Sequence, residues 1–287
     1  MPKIKIQLIK TKINGVEMVA QGNDLIRHAR FQLTALEQNI IYFCISKIKP
    51  TDKEIMQQSF TVDEFCEACG ISAEKGNQGG KQYRRIKAAV KAVSDKSAWT
   101  ESPDGSEELV RWFDTFKIKP KTGEMTVVMS QSIKPYLIGL IERAKAGGEG
   151  YTQAHLMTFL ALQSKYGKRL YEILKSYLYA SGTQEKIYKK QIIEYELDEL
   201  KTLLNATTYT RYQDFRRFVL EVAEREINDI TDISMSSHPI KNGRKITGIQ
   251  FVYNHKDSIE RMDAYNKALI KIKNANIIAK TSTPPRG

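Results

Sequence analysis

Cysteine and histidine are scarce in this chain, three of the first and four of the second among 287 residues. No apolar run reaches the 18 or more residues that a membrane-spanning helix needs. An odd, sparse set of cysteines excludes a disulfide framework and fits a reducing compartment. Cys66 and Cys69 form a lone C-x-x-C within the apparent helix FTVDEFCEACG, without a second pair or a nearby histidine, so buried apolar residues are expected there rather than metal or redox ligands. His28, His155, His238 and His255 are widely separated. They give no His-x-His pair of the kind that holds the metal of a rolling-circle nicking enzyme. The stretch GNQGGKQ is no phosphate-binding loop, because Lys75 stands five before Gly80 where glycine is required, and Gln82 follows Lys81 in place of Ser or Thr. Carboxylates are plentiful but scattered over helical surfaces. No catalytic residue, cofactor or metal is expected. The opening MPKIKIQLIKTK lacks the long apolar core of a signal peptide. A cytoplasmic protein is the expectation.

What the chain has in excess is positive charge, +12 overall. Residues 1 to 150 carry 23 basic and 18 acidic side chains, and residues 151 to 287 carry 22 and 15. Both halves are basic, which suggests a polyanionic partner such as nucleic acid. The length suits two domains better than one.

Helix starts are marked by three candidate capping boxes, Thr34/Glu37, Thr61/Glu64 and Thr210/Gln213, the second flanked by Phe60 and Phe65 as a hydrophobic staple. After Thr34, the residues Leu36, Ile40, Phe43, Cys44 and Ile48 keep helical spacing until Lys49-Pro50, which predicts a core helix. In KQYRRIKAAVKAV, Tyr83, Ile86, Val90 and Val93 form a narrow apolar stripe, while Lys81, Arg84, Arg85 and Lys91 face elsewhere. The β-rich runs SAWTE, ELVRWFDTFKI and EMTVVM follow, separated by the turn sequences SPDGS and KPKTG. Three helices and then a strand meander is the order of a winged helix.

After the flexible AKAGGEG at 144–150 the order recurs. A helical region is expected over 153–179, a short helix at ELDELKTLLN, and a longer one over YTRYQDFRRFVLEVAEREINDI. The strands DISMS and KITGIQFVY come next, joined through SSHPIKNGR, with Asn242-Gly243 favouring a tight turn and Gly248 marking a bulge. The expected fold is α+β, predominantly α, with two tandem winged-helix domains. The divisions are an N-terminal arm at 1–20, winged helices at 21–147 and 148–255, and a C-terminal tail at 256–287. A short helix and a mobile polar end are expected in that tail.

The third helix of the second domain carries its charges in the wrong order. Arg211, Arg216 and Arg217 lie in the first half, and Glu221, Glu224, Glu226 and Asp229 in the second. A helix dipole disfavours that order by roughly 0.3 to 1 kcal/mol for each charge in a terminal turn. The helix can bury Phe215, Phe218, Val219, Val222 and Ile227, leaving Arg211, Gln213, Arg216 and Arg217 on other faces. A recognition helix enters the major groove by its N-terminal end, so duplex DNA would reward the order that the dipole penalises. The rival is a solvated face with Arg217 paired to Glu221 and Glu221 to Arg225, which leaves Arg211 and Arg216 with no acid four residues ahead. Beside it, Lys241, Arg244 and Lys245 sit on a hairpin tip suited to phosphate or minor-groove contact. In the first domain Lys81, Arg84, Arg85 and Lys91 give a similar signal, with a solvated face as its rival.

Several segments resemble one family, the replication initiators of iteron-containing plasmids (the RepA/RepB/RepE superfamily). Asn23 to Ile26 and Leu33 to Gln38 are similar to its opening signature, and LQSKYGKRLYEILKSY, residues 162–177, to its most characteristic helix. ELDELKTLLNATTYTRYQDFRRFVLEVAEREIN with KNGRKITGIQF resembles its second winged helix and wing. The resemblance spans about residues 20 to 253. It implies a protein that binds direct repeats in a plasmid origin, helps open the duplex, and brings in host initiator and helicase. It also implies monomers on the repeats and homodimers that repress their own promoter. Arg211, Arg216 and Arg217 would make the base contacts, while Lys165, Lys168 and Arg169 would meet the DNA backbone or, for Arg169, support the fold. The alternatives are a winged-helix repressor without replication activity and, from another class, a DNA-nicking enzyme.

Overall fold

The computed structural model describes residues 17–54, 57–71, 80–101, 106–178 and 188–281. Strand β1 (Met18–Gly22) and helix α1 (Asn23–His28) lead into α2 (Ala35–Ile45). Thr34 caps α2 with the full reciprocal box, its hydroxyl accepting from Glu37 N while Thr34 N donates to the Glu37 carboxylate at 2.8 Å. Ile40 through Ile45 are all buried, so α2 is enclosed on every side, beyond the single stripe that its spacing predicts. Then come β2 (Gln58–Thr61), α3 (Val62–Ala68) with its own box at Thr61 and Glu64, and α4 (Lys81–Ser94). Ile86, Val90 and Val93 of α4 point inward as their spacing requires. The hairpin β3 (Ser97–Glu101) and β4 (Glu107–Arg111) precedes β5 (Phe113–Ile118), β6 (Glu124–Met129) and α5 (Leu140–Lys145). The sheet order is β2-β6-β5, with β3-β4 as a separate ladder.

The second unit repeats the plan with β7 (Tyr151–His155), α6 (Leu156–Ala161), α7 (Lys165–Leu178), β8 (Gln191–Glu196) and α8 (Leu197–Leu203). A helical rod follows in three parts: α9 (Tyr212–Phe215), a π-helical turn (Arg216–Leu220) and α10 (Glu221–Ile230). The hairpin β9 (Ile233–Asn242) and β10 (Lys245–His255) gives the sheet order β8-β10-β9, matching β2-β6-β5 element for element. The short strand β2 carries little alternation that would announce it, and β8 alternates over only its six residues. Each is held in place by pairing with the last strand of its own sheet.

The two units share one interior. β1 and β7 pair antiparallel across the AKAGGEG stretch, from Met18 opposite His155 to Gly22 opposite Tyr151. Tyr42 stacks on Phe159 at 4.3 Å, and Gln21 donates to the Glu172 carboxylate at 2.6 Å. Beyond β10 the expected short helix is the longer α11, 24 residues at Ser258–Thr281, so the expected polar tail is helical as far as Thr281. It buries Ala264, Ala268 and Ile272, and its backbone passes so close to Gly70 of the first unit that a Cβ there would lie 3.0 Å from Ile272 O. Small residues in that contact stripe leave little hydrophobic periodicity to read. Residues 282–287 lie outside the described set. None of the described helices is long and apolar enough to cross a membrane. Cys44, Cys66 and Cys69 are free and buried, and burial pushes their thiols up, Cys66 to about 11.

Candidate nucleic-acid interface

Asn205 ends α8 at φ 51°, a left-handed conformation that asparagine tolerates, and Ala206 N donates back to Lys201 O at 2.7 Å. The chain then turns through Tyr209 into the rod. The third expected capping box does not form. Arg211 occupies the N-cap position without a side-chain cap, and its Nη2 donates to Gln213 Oε1 at 3.0 Å, so the glutamine is engaged by the arginine instead of the backbone. Among the described residues no side chain caps the leading N–H groups of the rod.

The π turn decides which residues face out. Its extra residue lets Val219 and Leu220 both go inward, and the buried row continues through Ala223, Ile227 and Ile230. Phe218, expected inside, is therefore 47% exposed, and Val222 is only half-buried. Residues five apart also become neighbours, and Arg216 Nε meets Glu221 Oε1 at 3.0 Å. Arg211 approaches Asp214 at 3.8 Å. Both pairs are exposed, so each contributes at most about 1 kcal/mol and yields readily to a phosphate or a base. The pairs of the rival solvated-face reading, from Arg217 to Glu221 and from Glu221 to Arg225, do not form. Arg217 has no carboxylate partner among the described residues, and its guanidinium lies 5.3 Å from the Phe218 ring centroid.

Two acids of the second half work inward, while Glu221 pairs with Arg216 and Asp229 with Lys267 at the surface. Glu226 accepts from Gln163 N at 3.1 Å and Ser164 N at 3.0 Å, capping the start of α7. Gly167 makes room for it, since a Cβ there would lie 2.6 Å from Glu226 Oε2. Glu224 accepts from Ser237 N and Oγ, tying the rod to β9. At the far end Lys256 Nζ donates to Asn228 O at 2.6 Å and Thr231 O at 2.8 Å, a cation placed where the dipole favours one. The charge order thus has two causes, acids used as caps and ties, and cations left at the leading end.

Beside the rod, Asn242 pairs with Lys245, so Gly243 and Arg244 form the turn, with Gly243 at φ 61° as the first central residue of a type II′ hairpin requires. The bulge expected at Gly248 is present between Ile246 and Gly248. Lys241, Arg244 and Lys245 are exposed. In the first unit Arg84, Arg85 and Lys91 stand exposed on α4, Lys91 against Asp95. Lys81 opens α4, and the glycine-rich run before it, residues 72–79, lies outside the described set. The sheet order identifies β5-β6 as the counterpart of β9-β10. Its tip carries exposed Lys117, Lys119 and Lys121, which the sequence hides because KPKTG reads only as a turn. The signal that would expose them is the status of β3-β4 as an inserted hairpin.

One expected backbone contact, that of Lys168, is corrected, and Arg169 takes the fold-supporting alternative. Lys168 is buried, with its ammonium on Phe159 O, and burial pushes its pKa down to about 7. Arg169 spans the two units, donating to Ala29 O at 2.8 Å and lying 3.6 Å from Glu172. Neither reaches a solvent-facing phosphate. Lys165 is half-buried, its Nζ on Asn205 O at 3.1 Å, just behind the turn into the rod.

Residues 18–175 match the family model described as "Initiator Replication protein, WH1", and residues 196–253 match "Initiator Rep protein, WH2". The chain belongs to the initiator replication protein family. A solved structure of the Pi initiator protein in complex with iteron DNA is similar in fold, with a TM-score of 0.67 at 20% identity, covering 86% of this chain and 100% of that one. The WH1 domain of the replication protein MSBI1.176 matches at 16% identity over 40% of this chain and 83% of that one, with a TM-score of 0.26. Two tandem winged helices are thus the architecture of this initiator, and the matched WH2 range contains the rod and the Lys241–Lys245 hairpin tip.

Proposed function

We propose that this initiator acts by sequence-specific binding of duplex DNA at repeated sites in a plasmid origin. The observation that carries this reading is the rod, whose Glu224 and Glu226 are committed to its own fold while its leading end presents exposed arginines, with Arg211 at an N-cap that lacks a side-chain cap. Arg211, Gln213, Arg216 and Arg217 enter a major groove, where an arginine can pair bidentately with guanine. Lys241, Arg244 and Lys245 hold phosphates on one side, with Lys165 behind the turn. In the first unit Arg84, Arg85 and Lys91, with Lys81 at the helix start and the Lys119–Lys121 tip, engage a groove face about one helical turn away, roughly 10 bp. The protein does no covalent chemistry of its own. Monomers occupy the repeats, homodimers repress the protein's own promoter, and host initiator and helicase are brought to the opened duplex.

A footprint of the intact chain over the DNA flanking its gene tests this. Protection of successive direct repeats is expected, and absence of any protected repeat overturns it. Incubation with supercoiled origin DNA and a divalent metal should leave the DNA unnicked.

A further inference from the structure

Phe218 has no place in the rod's packing, and yet it is held. The π turn directs Val219 and Leu220 inward and leaves Phe218 facing out, 47% exposed, in the arginine-bearing half of the rod. An exposed aromatic ring normally sweeps several rotamers. This one is fixed from two sides: Tyr209 stacks on it with centroids 6.1 Å apart and planes 25° apart, and the Arg217 guanidinium lies 5.3 Å from its centroid. Tyr209 is braced in turn edge-on by Tyr166 at 6.2 Å, beside the Lys165 ammonium. The result is an apolar surface, pre-positioned and flanked by cations, at the end of the rod proposed above to enter a groove. Fixing it in advance removes most of the ordering cost of using it in binding.

The base edges of a major groove are almost wholly polar. The apolar group they offer is the C5 methyl of thymine. We propose that Phe218 is a specificity residue that reads one thymine methyl in each site, next to the base or phosphate contacted by Arg217. This rests on the duplex-binding reading and deepens it.

The test uses duplexes enriched from a randomised pool by the intact chain. Each thymine of the enriched site is replaced singly by deoxyuridine, which removes the methyl and keeps the base pair. Wild type should drop about three- to fivefold in affinity at one position, the size expected for one buried methyl group. Phe218→Ala should bind the thymine and uracil duplexes at that position equally, whereas Phe218→Leu should keep part of the difference. Methyl effects elsewhere in the site should not change. If the chain enriches a sequence but tolerates uracil at every position, or if Phe218→Ala retains the full methyl dependence, the proposal falls and the duplex-binding reading stands. If no sequence is enriched, both fall. Thermal unfolding of each variant separates a failure to fold from the removal of a DNA contact.

Discussion

The two winged helices are built on one plan and finished differently. In the first, the helix entering the sheet is capped at Thr61 by a complete box, and α4 is a regular helix with cations along its exposed face and one inward stripe of Ile86, Val90 and Val93. In the second, the rod that corresponds to α4 also starts without a side-chain cap, but it carries a π turn and gathers Arg211, Arg216 and Arg217 in its leading half. The first is a basic surface laid over a regular helix. The second gives up a regular hydrogen-bond ladder to place particular side chains outward, as the base-reading role proposed for it requires. Net charge, similar in the two halves, therefore does not indicate where specificity sits.

Substitutions in the two domains should act differently. The largest effect is expected for Arg217→Ala, which should cost about 1 to 3 kcal/mol on the cognate duplex and far less on unrelated DNA. Equilibrium binding to both duplexes checks it. Next, replacing Lys241, Arg244 and Lys245 with alanine, or Lys119 and Lys121 separately, should weaken all sequences alike and flatten the slope of log affinity against log salt by about 0.9 for each phosphate no longer neutralised. A salt titration that left the slope unchanged for the Lys119 and Lys121 pair would remove β5-β6 from the interface. Smaller still, Thr61→Ala should cost about 1 kcal/mol of stability by urea unfolding, whereas Thr210→Ala should cost almost nothing, because only Thr61 caps a helix.

The smallest effect on DNA is expected at Lys168, which should show none. Its folded pKa lies below the unfolded value, so the unfolded chain binds more protons between about pH 7 and pH 10 and this group makes stability rise with pH across that window. Lys168→Met should abolish that share of the rise in paired urea titrations, while cognate affinity at fixed pH stays at the wild-type value. Reduced affinity in the folded variant would return Lys168 to the DNA surface.

Patterning makes the order of elements, the α4 stripe, two of the three capping boxes, the exposed cations of both domains and the Gly248 bulge legible. What it misses has physical causes. A π turn shifts the phase of a helix by one residue without a marker in composition, so regular spacing puts Phe218 inside and gives no reason to pair Arg216 with Glu221 five residues on. β2 and β8 exist by pairing with distant strands, and α11 packs through Ala264 and Ala268, which signal weakly. Lys168 and Arg169 belong to a helix with Lys175 also buried, and sequence alone does not tell a cation that satisfies interior carbonyls from one facing solvent. The lysines of β5-β6 stay hidden because their role depends on which hairpin is the wing, a matter of sheet order.

On the proposed function, the second domain reads bases through the front of its rod while the first chiefly holds the backbone. Binding of Arg217→Ala and Arg85→Ala should be measured in parallel against every single-base variant of one enriched site. Preference should collapse for Arg217→Ala at one or two adjacent positions and survive elsewhere, and Arg85→Ala should lower affinity for every variant by the same factor. A uniform reduction for Arg217→Ala, with discrimination intact at all positions, would contradict the account.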